Sequence, residues 1–80
     1  MNQQDLNKII GKNIRKYRLL YNKKFGKMTQ ENLAEAINSS VSLISNLESS
    51  KSNKGISITY LYKISVVLNT PINLFFIDEK

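Results

Sequence analysis

Apolar residues recur at Leu6, Ile10, Ile14, Tyr17 and Tyr21, in steps of four, four, three and four. That stripe predicts a helix from Leu6 to Tyr21, with Asp5 placed to cap it. Residues 22–27, NKKFGK, break the stripe and read as helix end and loop around Gly26. Thr29 then caps a short helix whose apolar positions are Leu33, Ala34 and Ile37. Asn38 suits its end, because asparagine tolerates left-handed backbone angles. Ser40 caps a third helix reaching about Ser49, and residues 50–56, SKSNKGI, read as loop. Ser57 caps a fourth, with Ile58, Leu61, Ile64 and Leu68 along one side. The run ISITYLY alternates as a strand would, but no second convincing strand is there to pair with it, so helix is the better reading. Thr70 and Pro71 suit the cap and first position of a last short helix carrying Ile72, Phe75 and Phe76. The expectation is an all-α chain of five short helices forming one domain over residues 1–80.

The third helix holds most of a serine-dense stretch, SSVSLISNLESS, at residues 39–50. Serine density can mark a flexible linker. On a helical wheel, however, Leu43, Ile44 and Leu47 fall on one side, and Ser42, Ser45, Asn46 and Ser49 on the other. Val41 sits at the edge between them. A linker has no reason to space its apolar residues this way. Ordinary exposed helix faces are rich in Lys, Glu, Gln and Arg; this one has short hydroxyls and one amide. Short side chains permit close approach to another surface, and hydroxyls and amides can donate to and accept from base edges. The periodicity leaves two readings open, an ordinary polar face and a close-docking face.

Charge narrows the choice of partner. The net charge is +6 and the pI about 9.7. Eight of the twelve Lys and Arg residues lie between Lys8 and Lys27, so the excess is concentrated and points to an anionic partner, nucleic acid first. Catalysis has little to work with. There is no histidine or cysteine, the acids Glu31 and Glu35 form a lone i,i+4 pair, and the glycines Gly11, Gly26 and Gly55 are isolated. No metal site, phosphate loop, cofactor site or small-molecule site is evident, so a binding module rather than an enzyme is expected. No secretory signal or membrane span is legible, and a cytoplasmic location is the expectation.

The run MTQENLAEAINSSVSLISNLES, residues 28–49, resembles the helix-turn-helix of phage-repressor-like regulators, the Cro or XRE family. Thr29, Gln30, Leu33, Ala34, Ile37, Ser40, Ile44, Ser45, Leu47 and Glu48 match its pattern without a gap. IIGKNIRKYR, residues 9–18, is similar to the family's first helix, and YLYKISVVLNTPINLFF, residues 60–76, to its last two. Asn38 and Ser50 stand where the family has glycine, and Ser39 where it has a small apolar residue. The loops after the first and third helices are longer than is typical. Asn32 and Leu43 hold the capping-box positions, so only simple caps are expected at those two helix starts.

The resemblance implies a lambda-repressor-like five-helix fold with its helix-turn-helix at about 29–49. It implies that the helix from Ser40 enters the major groove of double-stranded DNA while the helix from Gln30 crosses the backbone. By the family's positions Val41, Ser42, Ser45 and Asn46 face the bases. Thr29, Gln30, Ser40 and Ser49, with Lys27, Lys51 and Lys54, meet the sugar-phosphate backbone. Arg18 and Glu48 form a structural pair. Such regulators usually bind as homodimers, and Pro71, Ile72, Phe75, Phe76 and Ile77 are the expected dimer surface, with one phenylalanine closing the core. The implied function is a transcriptional regulator, more specifically a repressor. Two rivals share the scaffold: a protein-interaction module that reads no bases, and non-specific binding of RNA or anionic membrane through the basic first helix.

Overall fold

The structure, a computed structural model, describes residues 2–49 and 55–78. Over these residues it is all-helical: α1 (Gln3–Phe25), α2 (Gln30–Ala36), α3 (Val41–Glu48), α4 (Ile58–Val67) and a 3-10 helix (Ile72–Phe76). The fifth element is therefore a tight turn of 3-10 helix rather than an α-helix. α1 packs against α3 and the 3-10 helix, α2 lies across α3, and α4 closes on α2 and the 3-10 helix.

α1 is longer at both ends than its apolar stripe. Asp5 is not its cap. Asn2 is, accepting a bond from the Asp5 amide at 2.9 Å, while the Asp5 carboxylate accepts from the Asn2 amide at 3.4 Å. Local hydrogen bonding thus starts the helix before its first buried residue. At the other end Asn22, Lys23 and Lys24 continue the helix, the lysines favoured by the negative end of its dipole. Gly26 (φ 79°) and Lys27 (φ 51°) then turn the chain, and the Asn22 side chain accepts from the Met28 amide at 2.7 Å.

Two asparagines end helices in the same manner. Asn38 (φ 57°) follows α2 and Asn69 (φ 51°) follows α4. The next amide in each case reaches back five residues, Ser39 to Ala34 at 2.8 Å and Thr70 to Ser65 at 2.9 Å. Each is a Schellman closure with Asn in place of Gly. The second displaces the expected cap at Thr70. Its hydroxyl turns back onto the Leu68 carbonyl, and Pro71 takes the cap position with no side-chain bond. Thr29 and Asn32 form a full capping box, which corrects the expectation of a simple cap. Each side-chain oxygen accepts the other's backbone amide at 3.1 Å. An amide oxygen at this position serves as a carboxylate would.

The core gathers Ile10, Ile14, Leu33, Ile37, Ile44, Leu47, Leu61, Ile64, Leu68 and Phe75. Ile58 is not among them and is 66% exposed, because α4's contribution begins one turn later, at Leu61. Two residues outside any apolar pattern set how α1 packs. Gly11 lies so close to α3 that a Cβ there would run into the Leu47 carbonyl oxygen. Asn13, only 4% exposed, donates from Nδ2 to the Phe75 carbonyl at 2.8 Å and the Ile77 carbonyl at 2.9 Å. The C-terminal turn is thereby tied to α1, with the Phe75 ring edge-on to Tyr17 at 5.4 Å.

These two contacts predict stability changes. Gly11→Ala forces α1 and α3 apart and costs about 1–3 kcal/mol, a fall in Tm of roughly 5–20 °C for a domain of this size. Asn13→Ala leaves the buried Phe75 carbonyl without its donor and frees the Ile77 carbonyl, at a cost of about 1–3 kcal/mol. Thermal unfolding followed by circular dichroism checks both.

Candidate nucleic-acid interface

α3 presents a face that follows from its sequence. Ser40 accepts from the Leu43 amide at 3.2 Å and starts the helix. Ile44 and Leu47 are buried and Leu43 is half-buried, while Val41, Ser42, Ser45, Asn46 and Ser49 are exposed. Val41, 43% exposed, lies on the outward side of the boundary that the wheel left open. Ser49 is the helix's C-cap, its amide bonded to the Asn46 carbonyl. Ser39 is half-buried, its hydroxyl directed at the Ser40 carbonyl 3.4 Å away.

The acid on α3, Glu48, points the other way. Arg18 grips it at two points, Nε to Oε2 at 2.7 Å and a terminal nitrogen to Oε1 at 2.9 Å. The other terminal nitrogen of Arg18 donates to the Met28 carbonyl at 3.0 Å. Gln30 completes the group, donating from Nε2 to Glu48 Oε1 at 3.0 Å. The side chains of Arg18 and Glu48 are 9% and 2% exposed. A paired and fully hydrogen-bonded carboxylate tolerates such burial, and bidentate geometry is the strongest form of that pairing. One network therefore joins α1, the start of α2 and the end of α3. It also withdraws negative charge from the exposed face.

Around this face lie Thr29 and Lys27, both exposed, and Gln30, half-buried. Sequence reasoning assigned Gln30 to a phosphate and missed its bond to Glu48. The two residues are 18 apart and no local pattern links them. That bond fixes the carboxamide while leaving its second N–H and its oxygen available. Lys51 and Lys54 lie outside the described residues. Of the expected dimer surface, Pro71, Phe76 and Ile77 are exposed and Ile72 is half-buried. Phe75 must be struck from it. Its ring is fully buried and closes the core, whereas Phe76 is 41% exposed.

Beside α3's C-terminal end, a groove of about 630 Å³ is lined by Lys8, Lys12, Arg15 and Lys16 of α1 and by Leu47, Glu48 and Ser49. Among the described residues no group of three His, Cys, Asp or Glu could hold a metal ion, and no helix is long and apolar enough to cross a membrane.

Removing one partner of the buried pair uncovers the other. Glu48→Ala is expected to cost about 3–5 kcal/mol, a large part of the roughly 5–15 kcal/mol available to a small domain. Glu48→Gln, which keeps an acceptor for Arg18, costs less. Denaturant unfolding of the two variants measures the difference. An unchanged unfolding midpoint with altered sequence preference would contradict a structural role for Glu48.

The chain matches the helix-turn-helix family over residues 26–75, the segment that contains α2, the turn, α3 and α4. No curated protein matches it. The match covers more than half of the sequence and spans α2 and α3, which meet where Gln30 bonds Glu48. This chain belongs to the Cro/C1-type helix-turn-helix family of DNA-binding regulators.

Proposed function

We propose that this protein is a sequence-specific transcriptional repressor that reads the major groove of double-stranded DNA with α3 and acts by occupying a promoter. The observation that carries this reading is the division of α3. Val41, Ser42, Ser45 and Asn46 are exposed on one side, and the helix's acid is sequestered on the other. An exposed carboxylate would oppose the phosphates; this one is neutralised inside the fold.

Each residue then has a chemical role. Asn46 can pair bidentately with adenine, Val41 can meet a thymine methyl, and Ser42 and Ser45 can donate or accept at base edges. Thr29, Gln30, Ser40 and Ser49 supply neutral polar contacts to the sugar-phosphate backbone, and Lys27, Lys51 and Lys54 supply charge. Half-sites are bound by a homodimer joined through Pro71, Ile72, Phe76 and Ile77, with two-fold symmetry matched to the operator. Residues 1–80 form one DNA-binding domain that acts in the cytoplasm.

A second reading has its own support. Ile58, Tyr62 and Val66 recur every four residues along α4 and are 66%, 60% and 60% exposed. An apolar ridge of this kind suits a protein partner, as a protein-interaction module would require.

Selection from a random duplex pool at about 150 mM salt separates the two readings, since surface charge is well screened there. The repressor reading expects an enriched palindrome. Asn46→Ala is expected to cost about 1–3 kcal/mol at one base position of each half-site and to relax preference there. If each protomer neutralises roughly four phosphates, Lys27, Lys51 and Lys54 supplying three, the log–log salt slope is about −3 to −4 per half-site. No enrichment would favour the protein-interaction module.

A further inference from the structure

The groove beside α3 carries charge that base reading does not use. Its α1 wall bears Lys8, Lys12, Arg15 and Lys16. The spacing i, i+4, i+7, i+8 puts all four on one helix face. Lys8, Lys12 and Arg15 are exposed, and Lys16 rests its ammonium 5.1 Å from the Tyr17 ring centre. Glu48, which also lines the groove, is taken up by Arg18 and Gln30. Asp5 and Asp78 share an adjoining depression with Lys8 and Lys12. Among the described residues, Lys8, Lys12 and Arg15 are the exposed cations of this face, and Asp5 and Asp78 lie at its edge. Like charges three and four residues apart destabilise the helix that bears them, so an anion seated against the exposed Lys8, Lys12 and Arg15 would relieve that repulsion.

We propose that this face of α1 is a second DNA-contact surface, gripping the phosphate backbone of the duplex that flanks the half-site. The inference rests on the DNA-reading function proposed above. Two features select duplex DNA as the occupant. The groove is also lined by Leu47, Glu48 and Ser49, the end of α3 itself, so a duplex seated on the exposed side of α3 would lie next to it. The charges from Lys8 to Lys16 extend over about 12 Å of helix axis. One strand of B-form DNA presents about three or four phosphates over that distance. The contact carries no sequence information. It adds affinity and salt dependence, and it lengthens the footprint.

The test compares two duplexes carrying the enriched site, one trimmed to the site and one extended by about a full turn, 10 bp, on each side. Wild type should bind the longer duplex more tightly, with a salt slope steeper by about 3 per protomer. The triple variant Lys8→Gln, Lys12→Gln, Arg15→Gln should lose that gain and bind both duplexes as wild type binds the short one, with its thermal unfolding retained. A length gain that survives in the variant overturns the proposal. So does equal weakening on both duplexes, or no length effect in wild type. Polyglutamate that competes through these cations without any effect of duplex length would make the occupant an acidic polypeptide and also overturn it. If no site is enriched, the DNA-reading function fails and this inference with it. If the site is enriched and depends on Asn46 but flank length is without effect, this inference alone fails.

Discussion

A carboxylate buried in a chain of eighty residues is tolerable only if both of its oxygens find donors, and Glu48 is placed to find them. Arg18 meets it with a rigid fork, Gln30 supplies another N–H, and the remaining arm of Arg18 holds the Met28 carbonyl just before α2. These bonds connect three segments that are distant in sequence. They determine how far α3 stands out from α1 and how it is rotated about its own axis. The outward direction of Val41, Ser42, Ser45 and Asn46 follows from that rotation, as does the neutrality of the surface they occupy. Gly11 makes the same approach possible from the other side, because only a residue without Cβ lets α1 come so close to the Leu47 carbonyl.

The connections reinforce this placement by local chemistry. Asn38 and Asn69 adopt left-handed angles at two helix ends, each beginning a pair of backbone bonds that finishes the helix. Asparagine does at both places what glycine commonly does, and it leaves the unfolded chain less freedom to lose. The turn between α2 and α3 is thus held by backbone hydrogen bonds together with the buried Ile37, not by packing at position 39. This accounts for how a serine can occupy position 39: its amide is committed to Ala34, and its side chain is left with only a long contact to the Ser40 carbonyl.

Periodic features were legible in the sequence because many residues repeat the same signal. The stripe of Leu6, Ile10 and Ile14 and the split face of α3 are of this kind, and Asn38 was legible because asparagine's tolerance of left-handed angles is itself a local signal. The tie between Arg18 and Glu48 was legible only through the family resemblance, since no periodicity joins positions 18 and 48. Single residues escaped. Asn13 belongs to no sequence pattern, yet it clamps the C-terminal turn, because a side chain that bonds carbonyls more than sixty residues away leaves no local trace. Helix limits escaped for the opposite reason. Asn2 and Asn22 act through bonds to their immediate neighbourhood, and those bonds extend α1 beyond its buried residues. Ile58 shows the limit of the stripe itself, since helical spacing alone does not say where along the helix the core begins.

The burial of Glu48 also separates two kinds of selection on this chain. None of Val41, Ser42, Ser45 and Asn46 belongs to the network around Arg18, and none lies in the core. Exposed positions without such partners usually accept substitution with little change in stability. If α3 reads DNA as proposed, recognition can therefore be rewritten residue by residue while the scaffold stays under its own separate constraint. A fold arranged in this way can diversify its targets across related chains without passing through unstable intermediates.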